Sequence, residues 1–260
     1  MTVIIKRPKQ TNERNKDFFK RKDQELTNLD WAKWGGWKDT DGFFQHVYVK
    51  ATNRFSKLVG LKLKDRQPVE LFSETFETSL IYLEHQTTAP NGTKYTAKEY
   101  VAIIGGPKAV WFTKNVYPYL IKEEKKDYAI KLLGYRPESK DLTTWTTDEV
   151  LHYLGTAIAG DGSVQNIYKD RALKLYIYSS DIQYLANLQS IAEDKLKIIS
   201  SLAELSVYKT QKGMKTRYVL YIYGSINRPR NTGFFKSLTK NNIMTLDRKK
   251  YKIEKFISKL

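Results

Sequence analysis

Short runs that alternate apolar and polar residues recur along the chain. In the clearest run, Val59, Leu61 and Leu63 share one face. Lys62 and Lys64 occupy the opposite face. This alternation is typical of a strand with one buried side. The pattern predicts strands at residues 43–50, 57–64, 80–86 and 95–104 in the first half, and at 163–169, 172–178, 203–209 and 216–223 in the second.

Segments with helical periodicity separate these strands. Thr146 and Glu149 have the spacing of a capping box, which predicts a helix that begins there and continues through Leu154 and Ile158. A matching helix, rich in tryptophan and glycine, is predicted over residues 31–38. Other helices are predicted at residues 68–76, 108–120, 123–133 and 181–193. Each half therefore has the order αββαββα.

The leading helix of each half ends in the same way. One segment is Trp-Gly-Gly-Trp-Lys-Asp-Thr-Asp-Gly over residues 34–42, and the other is Leu-Gly-Thr-Ala-Ile-Ala-Gly-Asp-Gly over residues 154–162. Asp41 and Asp161 would face the negative end of a helix dipole, which is locally unfavourable. An unfavourable carboxylate at the same position of two helices indicates that both carboxylates have a function. The alternative is that each Asp-Gly pair only terminates a helix.

Charge and composition indicate the kind of molecule that the chain binds. The 260 residues carry a formal net charge of +17, with 41% apolar and 13% aromatic residues. A globular chain this basic is expected to bind a polyanion with a strong salt dependence. We predict a basic arm at residues 1–25, a first repeat at 26–133, a polar linker at 134–145, and a second repeat with a C-terminal helix at 146–260.

Several chemistries are excluded by residue usage. The chain has no cysteine and three histidines, so thiol catalysis and zinc ribbons are ruled out and a metal would bind to oxygen ligands. No apolar run approaches the length of a membrane span, and the first residues lack the apolar core of a signal peptide. We therefore expect an intracellular protein, in the cytoplasm or in an organelle that encodes it, with no membrane partner.

The two Asp-Gly motifs and the repeated order of elements resemble the LAGLIDADG homing endonucleases, in their single-chain, two-repeat form. The resemblance implies an α+β fold in which each repeat has a four-stranded antiparallel sheet and the two motif helices pack together. It also implies a monomer whose sheets form a saddle on double-stranded DNA. Small residues allow two helix backbones to approach closely. The candidates for that contact are Gly35, Gly36, Gly155 and Thr156.

The resemblance also implies the residues of a nuclease site. The essential acid of each motif maps onto Asp41 and Asp161, which would be both catalytic residues and ligands of Mg²⁺, or of Mn²⁺ or Ca²⁺ in the same site. Gly42 and Gly160 are the other predicted metal ligands. The earlier acid is Asp39 in one copy and Ala159 in the other, so Asp39 is not expected to take part in chemistry. Auxiliary basic residues are predicted at Lys108 in the first half and at Arg228, with Arg230 nearby, in the second.

Residues that read the DNA sequence should lie on the strand faces that point away from the core, because the major groove displays a distinct pattern for each base pair. Alternation along the strands selects a mixed basic and aromatic set. Its members are His46, Tyr48, Lys50, Lys62 and Lys64 in the first half and Lys174, Tyr176, Lys215, Arg217 and Tyr221 in the second.

The sequence thus predicts a magnesium-dependent endonuclease that makes a double-strand break at a long, asymmetric DNA site, of the kind carried by introns or mobile elements. An intron-splicing maturase that binds intron RNA, or a non-cleaving regulator on the same fold, is the main alternative. A basic packaging protein without specificity is the second. Binding to one preferred duplex at moderate salt would separate a specific nuclease from a packaging protein.

Overall fold

The computed structural model describes residues 2–6, 13–50, 53–89, 92–210, 213–227, 230–240, 243–244 and 246–260. The elements are β1 (Thr2–Lys6), α1 (Asn15–Glu25), α2 (Asn28–Thr40), β2 (Gly42–Val49), β3 (Arg54–Leu63), α3 (Arg66–Thr75), β4 (Leu80–Thr88), β5 (Lys94–Gly105), α4 (Gly106–Val116), α5 (Glu123–Leu133), α6 (Thr147–Ala159), β6 (Gly162–Ile167), β7 (Ala172–Ser179), α7 (Ile182–Leu196), β8 (Ser200–Thr210), β9 (Gly213–Ser225), α8 (Thr232–Thr239) and α9 (Asp247–Ile257). This order confirms the predicted αββαββα pattern of each half.

The chain forms two compact units that interleave along the sequence. The first comprises Met1–Glu25, Asp41–Asn115 and Asp127–Pro137. The second comprises Leu26–Thr40, Val116–Lys126 and Glu138–Leu260. The motif helix α2 therefore belongs to the same unit as the motif helix α6, although the two lie in different sequence repeats. The predicted domain boundaries follow the sequence repeat, whereas the compact units follow the contacts between elements.

An antiparallel sheet forms the centre of the first unit, with strand order β1-β4-β5-β3-β2. One face of this sheet is buried: Val59 pairs with Phe44 on one side and with Ile104 on the other, and all three side chains are buried. Helix α3 packs on β3 and β5. Its residue Phe72 is fully buried and contacts the ring of Phe112 from α4.

The first sheet has five strands among the described residues, where four were predicted. The additional strand β1 pairs with β4, with Thr2 opposite Leu83. In the same predicted arm, α1 buries Phe18 and stacks Phe19 on Trp111 at 5.5 Å between ring centroids. The prediction of a basic arm at 1–25 missed this strand and helix, because the charges outnumber the few apolar residues that pack.

The second unit contains the antiparallel sheet β6-β7-β9-β8. Leu175 and Ile222 are paired and buried, and so are Ile177 and Leu220. Helix α7 packs on β7, β8 and β9. The alternate residues of each strand form the opposite face of this sheet, which we call the open face. Two antiparallel sheets with associated helices confirm the predicted α+β class.

Helix α6 begins where the sequence predicts. The Glu149 amide lies 3.2 Å from Thr146 Oγ1, and the Thr146 amide donates to Glu149 Oε2 at 2.7 Å. These reciprocal bonds form the capping box and fix the start of the second motif helix. None of the described helices combines the length and the apolar character needed to cross a bilayer.

Candidate functional site

The motif helices α2 and α6 pack against each other within the second unit. A Cβ atom added to Gly36 would lie 2.5 Å from the carbonyl oxygen of Tyr153 and even closer to Thr156 Oγ1. Thr156 Oγ1 also lies 3.1 Å from the carbonyl oxygen of Lys33, so the two helices are joined by a polar contact. Gly36 and Thr156 therefore lie at the predicted helix contact, where only a small residue fits.

The other two predicted contact residues have different nearest neighbours. A Cβ atom on Gly35 would lie 2.8 Å from the Cβ atom of Tyr119. A Cβ atom on Gly155 would lie 2.5 Å from Cγ2 of Ile243. These glycines allow the segments that contain Tyr119 and Ile243 to approach the two helices closely. The sequence assigned all four small residues to one contact because residue size does not identify the neighbour.

Asp39, near the end of α2, is completely buried. Its Oδ2 accepts hydrogen bonds from the Ile121 amide at 2.6 Å, the Lys122 amide at 3.2 Å and the Tyr153 hydroxyl at 2.5 Å. Burial raises the pKa of Asp39 to about 6. The hydrogen bonds and the positive charge of Lys122 act in the opposite direction and lower the pKa, but burial has the larger effect. The carboxyl group is thus held inside the protein and does not face solvent.

Asp161 lies two residues beyond the end of α6, after the C-cap residue Gly160, and is partly exposed. Its Oδ2 lies 3.1 Å from Lys122 Nζ, whose ammonium group is also 4.6 Å from the centre of the Tyr184 ring. Asp161 and Lys122 line a cleft of about 410 Å³ whose other lining residues are Tyr178, Ser179, Ser180 and Arg217. No spacing in the sequence indicates Lys122, because only folding brings it to Asp161.

The first motif has the same local design as the second. Asp41 follows α2 directly, is partly exposed, and is followed by β2, which begins at Gly42. Asp161 stands in the same relation to β6, which begins at Gly162. Each acid is therefore held between the end of a motif helix and the start of a sheet.

The donors present fit a hard divalent cation that keeps much of its water. The Asp161 side chain is 31% exposed in its cleft and offers carboxylate oxygens. Gly160, a predicted metal ligand, has its carbonyl oxygen 3.3 Å from Lys249 Nζ. In the part of the chain that the structure describes, no three His, Asp or Glu side chains form a metal-binding group. A cation on Asp161 would therefore take most of its ligands from water and from a bound phosphate.

The predicted auxiliary basic residues occupy different surroundings. Lys108 Nζ lies 3.7 Å from the centre of the Phe18 ring, and partial burial lowers the pKa of Lys108. This contact ties Lys108 to α1. Arg228 lies outside the described residues. Arg230 lines a second cleft together with Lys174 and Tyr223 on the second sheet. A catalytic role for Lys108 or Arg228 stays a prediction.

The first-half candidates for base contacts do not share one face. Phe44 pairs with Val59, and alternation along β2 places His46 on their face of the sheet. Tyr48 follows on that same face, where it pairs with Phe55.

Lys62 lies on the opposite face, where it forms a 2.7 Å ion pair with Glu99. The predicted grouping of His46 and Tyr48 with Lys62 is wrong, because adjacent phenylalanines at 43 and 44 left the strand parity ambiguous. Lys50 and Lys64 lie just beyond the ends of β2 and β3.

The second-half candidates do share one face. Tyr176 pairs with Tyr221, and Lys174 pairs with Tyr223. Along β9, alternation adds Arg217 and Lys215 to this open face. Arg217 packs over Tyr208, with its guanidinium carbon 5.3 Å from the ring centre. The open face of the second sheet is therefore both basic and aromatic, and it extends to the Asp161 cleft through Arg217.

Comparisons with known proteins give similar solved structures. The homing endonuclease I-WcaI bound to its DNA recognition sequence has a TM-score of 0.51 and 14% identity, covering 94% of this chain and 95% of that one. The LAGLIDADG meganuclease I-AabMI bound to uncleaved DNA has a TM-score of 0.52 and 12% identity, with 90% of each chain covered. The LAGLIDADG homing endonuclease I-GzeII in complex with its DNA target has a TM-score of 0.51 and 12% identity, covering 90% and 89%. No family model and no curated protein sequence matches the chain.

The likeness extends over nearly the whole chain and agrees with the internal features of the molecule. Two motif helices pack through Gly36 and Thr156, and each is followed by an Asp-Gly pair that leads into an antiparallel sheet. TM-scores of 0.51–0.52 over 90–94% of this chain indicate a shared fold, and at identities of 12–14% the likeness shows the fold alone. The chain therefore has the two-repeat fold of the LAGLIDADG homing endonucleases, which confirms the resemblance seen in its two motifs.

Proposed function

We propose that the protein is a site-specific DNA endonuclease that makes a metal-dependent double-strand break at a long, asymmetric target. The observation that carries the proposal is the cleft at the end of α6. It joins the Asp161 carboxylate to the Lys122 ammonium group and to Arg217, which belongs to the open face of the second sheet. A carboxylate at the border of a basic surface is suited to act on a bound phosphate.

Duplex DNA is the polyanion that the open face fits best. Lys174, Lys215 and Arg217 supply positive charge along it, and tyrosines between them supply flat apolar area. The net charge of +17 favours phosphate contacts over the whole chain. The similar structures of I-WcaI, I-AabMI and I-GzeII are each described as bound to DNA. A homing role would make the protein a monomer carried by an intron or another mobile element.

The proposed reaction is hydrolysis of a phosphodiester bond. A water molecule loses a proton as its oxygen attacks phosphorus, the bond from phosphorus to the leaving oxygen breaks, and that oxygen takes up a proton. When bound, Mg²⁺ would lower the pKa of a water and stabilise the leaving oxygen. Asp161 would hold the cation beside one scissile phosphate, and Asp41 would serve the other strand. Lys122 would stabilise negative charge that develops on the phosphate oxygens near Asp161.

A non-cleaving nucleic-acid binder is the second candidate function. Tyr176 and Tyr178 lie on the open face with their rings parallel within 5° and 5.9 Å apart. Tyr221 contacts Tyr176 on the neighbouring strand. Partly exposed aromatic rings beside cations can stack on the unpaired bases of intron RNA. This observation favours a maturase or regulator if the acids prove inactive.

Cleavage of a randomised duplex library tests the proposal. The full chain is incubated with the library in Mg²⁺ and, separately, in EDTA, and the new ends are sequenced. Ends that converge on one long, imperfectly palindromic sequence only with metal would support the endonuclease. Duplexes that are retained at moderate salt but never cut would favour the binder. Retention without any sequence preference would favour the packaging protein.

A further inference from the structure

Asp39 is an acid of the first motif that the proposed chemistry does not use. It is completely buried, so it cannot touch a metal or a phosphate in the Asp161 cleft. Its second oxygen, Oδ1, has no hydrogen-bond partner within the described part of the chain. A buried carboxyl group with one oxygen unsatisfied is costly to keep. The contacts of its other oxygen indicate what it does.

One oxygen of Asp39 joins three segments of the second unit. Oδ2 accepts from the consecutive amides of Ile121 and Lys122, which link the turn at Tyr117–Tyr119 to α5. The same oxygen accepts from the Tyr153 hydroxyl on α6. A charged acceptor forms stronger hydrogen bonds than a neutral one, and two consecutive N–H groups fix the direction of the backbone between them.

The side chain of Lys122 begins at that fixed backbone and ends at the other motif acid. Its Nζ is 3.1 Å from Asp161 Oδ2 and 4.6 Å from the Tyr184 ring centre. The lysine side chain is 12% exposed, so protein surrounds most of its length. Asp39 therefore holds the backbone of Lys122, while Asp161 and Tyr184 contact its ammonium group.

We propose that Asp39 is a positioning residue that fixes the Ile121–Lys122 backbone so that the Lys122 ammonium group stays on Asp161. Its catalytic consequence rests on the proposed function, but the positioning itself does not. The second repeat has Ala159 at the matching position, which has no side-chain acceptor. The positioning contact thus occurs in the first motif alone. It affects cleavage of the DNA strand that Asp161 cuts.

Amide hydrogen exchange tests the positioning without any DNA. In Asp39→Ala we expect exchange of the Ile121 and Lys122 amides to quicken about tenfold or more, since both lose their acceptor. In Asp39→Asn, an amide oxygen replaces the carboxylate, so the increase should be about threefold and the fold intact. Asp127→Ala, an exposed acid on α5, is the control. Unchanged exchange at both amides in Asp39→Asn and in a folded Asp39→Ala would overturn the proposal, and Asp39→Asn decides alone should Asp39→Ala not fold.

Strand-resolved cleavage tests the consequence. Under single-turnover conditions Asp39→Ala should slow the Asp161-dependent nick by about tenfold to a hundredfold, the usual effect of a misplaced catalytic group. The Asp41-dependent nick and the affinity for the duplex in Ca²⁺ should change less than about twofold. Adding Asp39→Ala to Lys122→Ala should slow cleavage no further, because both act through one group.

The outcomes separate the two proposals. Equal slowing of both strands, or additive effects of Asp39→Ala and Lys122→Ala, would contradict the positioning role even if the enzyme cuts DNA. A wild-type chain that cuts no DNA would contradict the endonuclease. In that case faster exchange of the Ile121 and Lys122 amides in the Asp39 variants would still support the positioning role, and unchanged exchange would reject it.

Discussion

The ammonium group of Lys249, on α9, lies 2.9 Å from the carbonyl oxygen of Ile158, on α6. It is also within hydrogen-bond distance of the carbonyl oxygens of Ala159, Gly160 and Gly162. The last carbonyl groups of a helix have no partners within it and carry the negative end of its dipole. Lys249 supplies both hydrogen bonds and positive charge at this end. The motif can therefore place the Asp161 carboxylate just beyond α6.

Replacing Lys249 should destabilise the second unit. In Lys249→Met the buried stem still packs, but the α6 carbonyl groups lose a charged donor, so we expect the free energy of unfolding to fall by about 3 kcal/mol. Urea unfolding followed by circular dichroism measures the change. The neighbouring Lys250→Met, on the same helix with a side chain 26% exposed, should change stability by less than about 0.5 kcal/mol. Equal effects of the two variants would contradict the capping role.

The close approach of the motif helices gives a second stability prediction. Gly36→Ala would place a methyl group 2.5 Å from the Tyr153 carbonyl oxygen. Because that neighbour is backbone, the helices must separate, and we expect a loss of about 2–3 kcal/mol. Gly233→Ala is the matched control, since a Cβ atom at that helical position would meet nothing within 4 Å. It should be neutral or slightly stabilising. A Gly36→Ala protein as stable as the Gly233→Ala protein would show that the helices are not in close contact.

Local patterns predicted much of the fold because they depend on neighbours in sequence. Alternation located the strands, and the Thr146–Glu149 capping box located the start of α6. The two Asp-Gly pairs identified the ends of the motif helices. Strand parity in β2 was missed, because two adjacent phenylalanines satisfy either face. The strand β1 was missed, because its pairing with β4 is visible only once the sheet exists.

The site was less predictable than the fold, because its contacts are long-range. Asp161 could be identified from its motif, but Lys122 and Lys249 are ordinary members of a lysine-rich sequence until folding brings them to the end of α6. The sequence predicts no part in the chemistry for Asp39, because the second motif has Ala159 in its place. That comparison addressed chemistry, and it could not show that Asp39 contacts the backbone of Lys122.

The buried carboxyl group of Asp39 gives a pH dependence of known sign. Its pKa rises from 3.8 to about 6 on folding, chiefly because burial disfavours the charged form. The folded state thus holds this proton more tightly, so the contribution is fully present below pH 3.8 and is lost as the pH rises through about 6. Between pH 4 and pH 7 the free energy of unfolding of the wild type should fall by about 2 kcal/mol relative to that of Asp39→Asn. Urea unfolding of both proteins across this range measures the difference. A stability difference that stays constant with pH would contradict the shifted pKa.

The open face gives a prediction for binding. Arg217→Ala removes one phosphate-contacting charge, so the affinity for duplex DNA should fall and the slope of log K against log salt should become shallower by about one. Fluorescence anisotropy at several salt concentrations, in Ca²⁺ to prevent cutting, measures both. Lys236→Ala, an exposed lysine on α8, is the control and should leave the slope unchanged. Equal slopes for the two variants would place the DNA elsewhere.

The motif acids give the prediction that bears most directly on the reaction. Asp41→Asn and Asp161→Asn each keep the size of the side chain but remove a negative oxygen that would hold the cation. Each should slow the cut of one strand by about 10²–10³-fold, the cost of losing one preorganised charge in the transition state. On a supercoiled plasmid that carries the target, the product should then be nicked circles, whereas wild type and Asp127→Asn yield linear DNA. DNA affinity should be retained, because the carboxylates repel phosphate in the absence of metal. If the Asp161→Asn protein still made linear DNA at the wild-type rate, the cleft at the end of α6 could not be the site of hydrolysis, and the binder would become the better account of this fold.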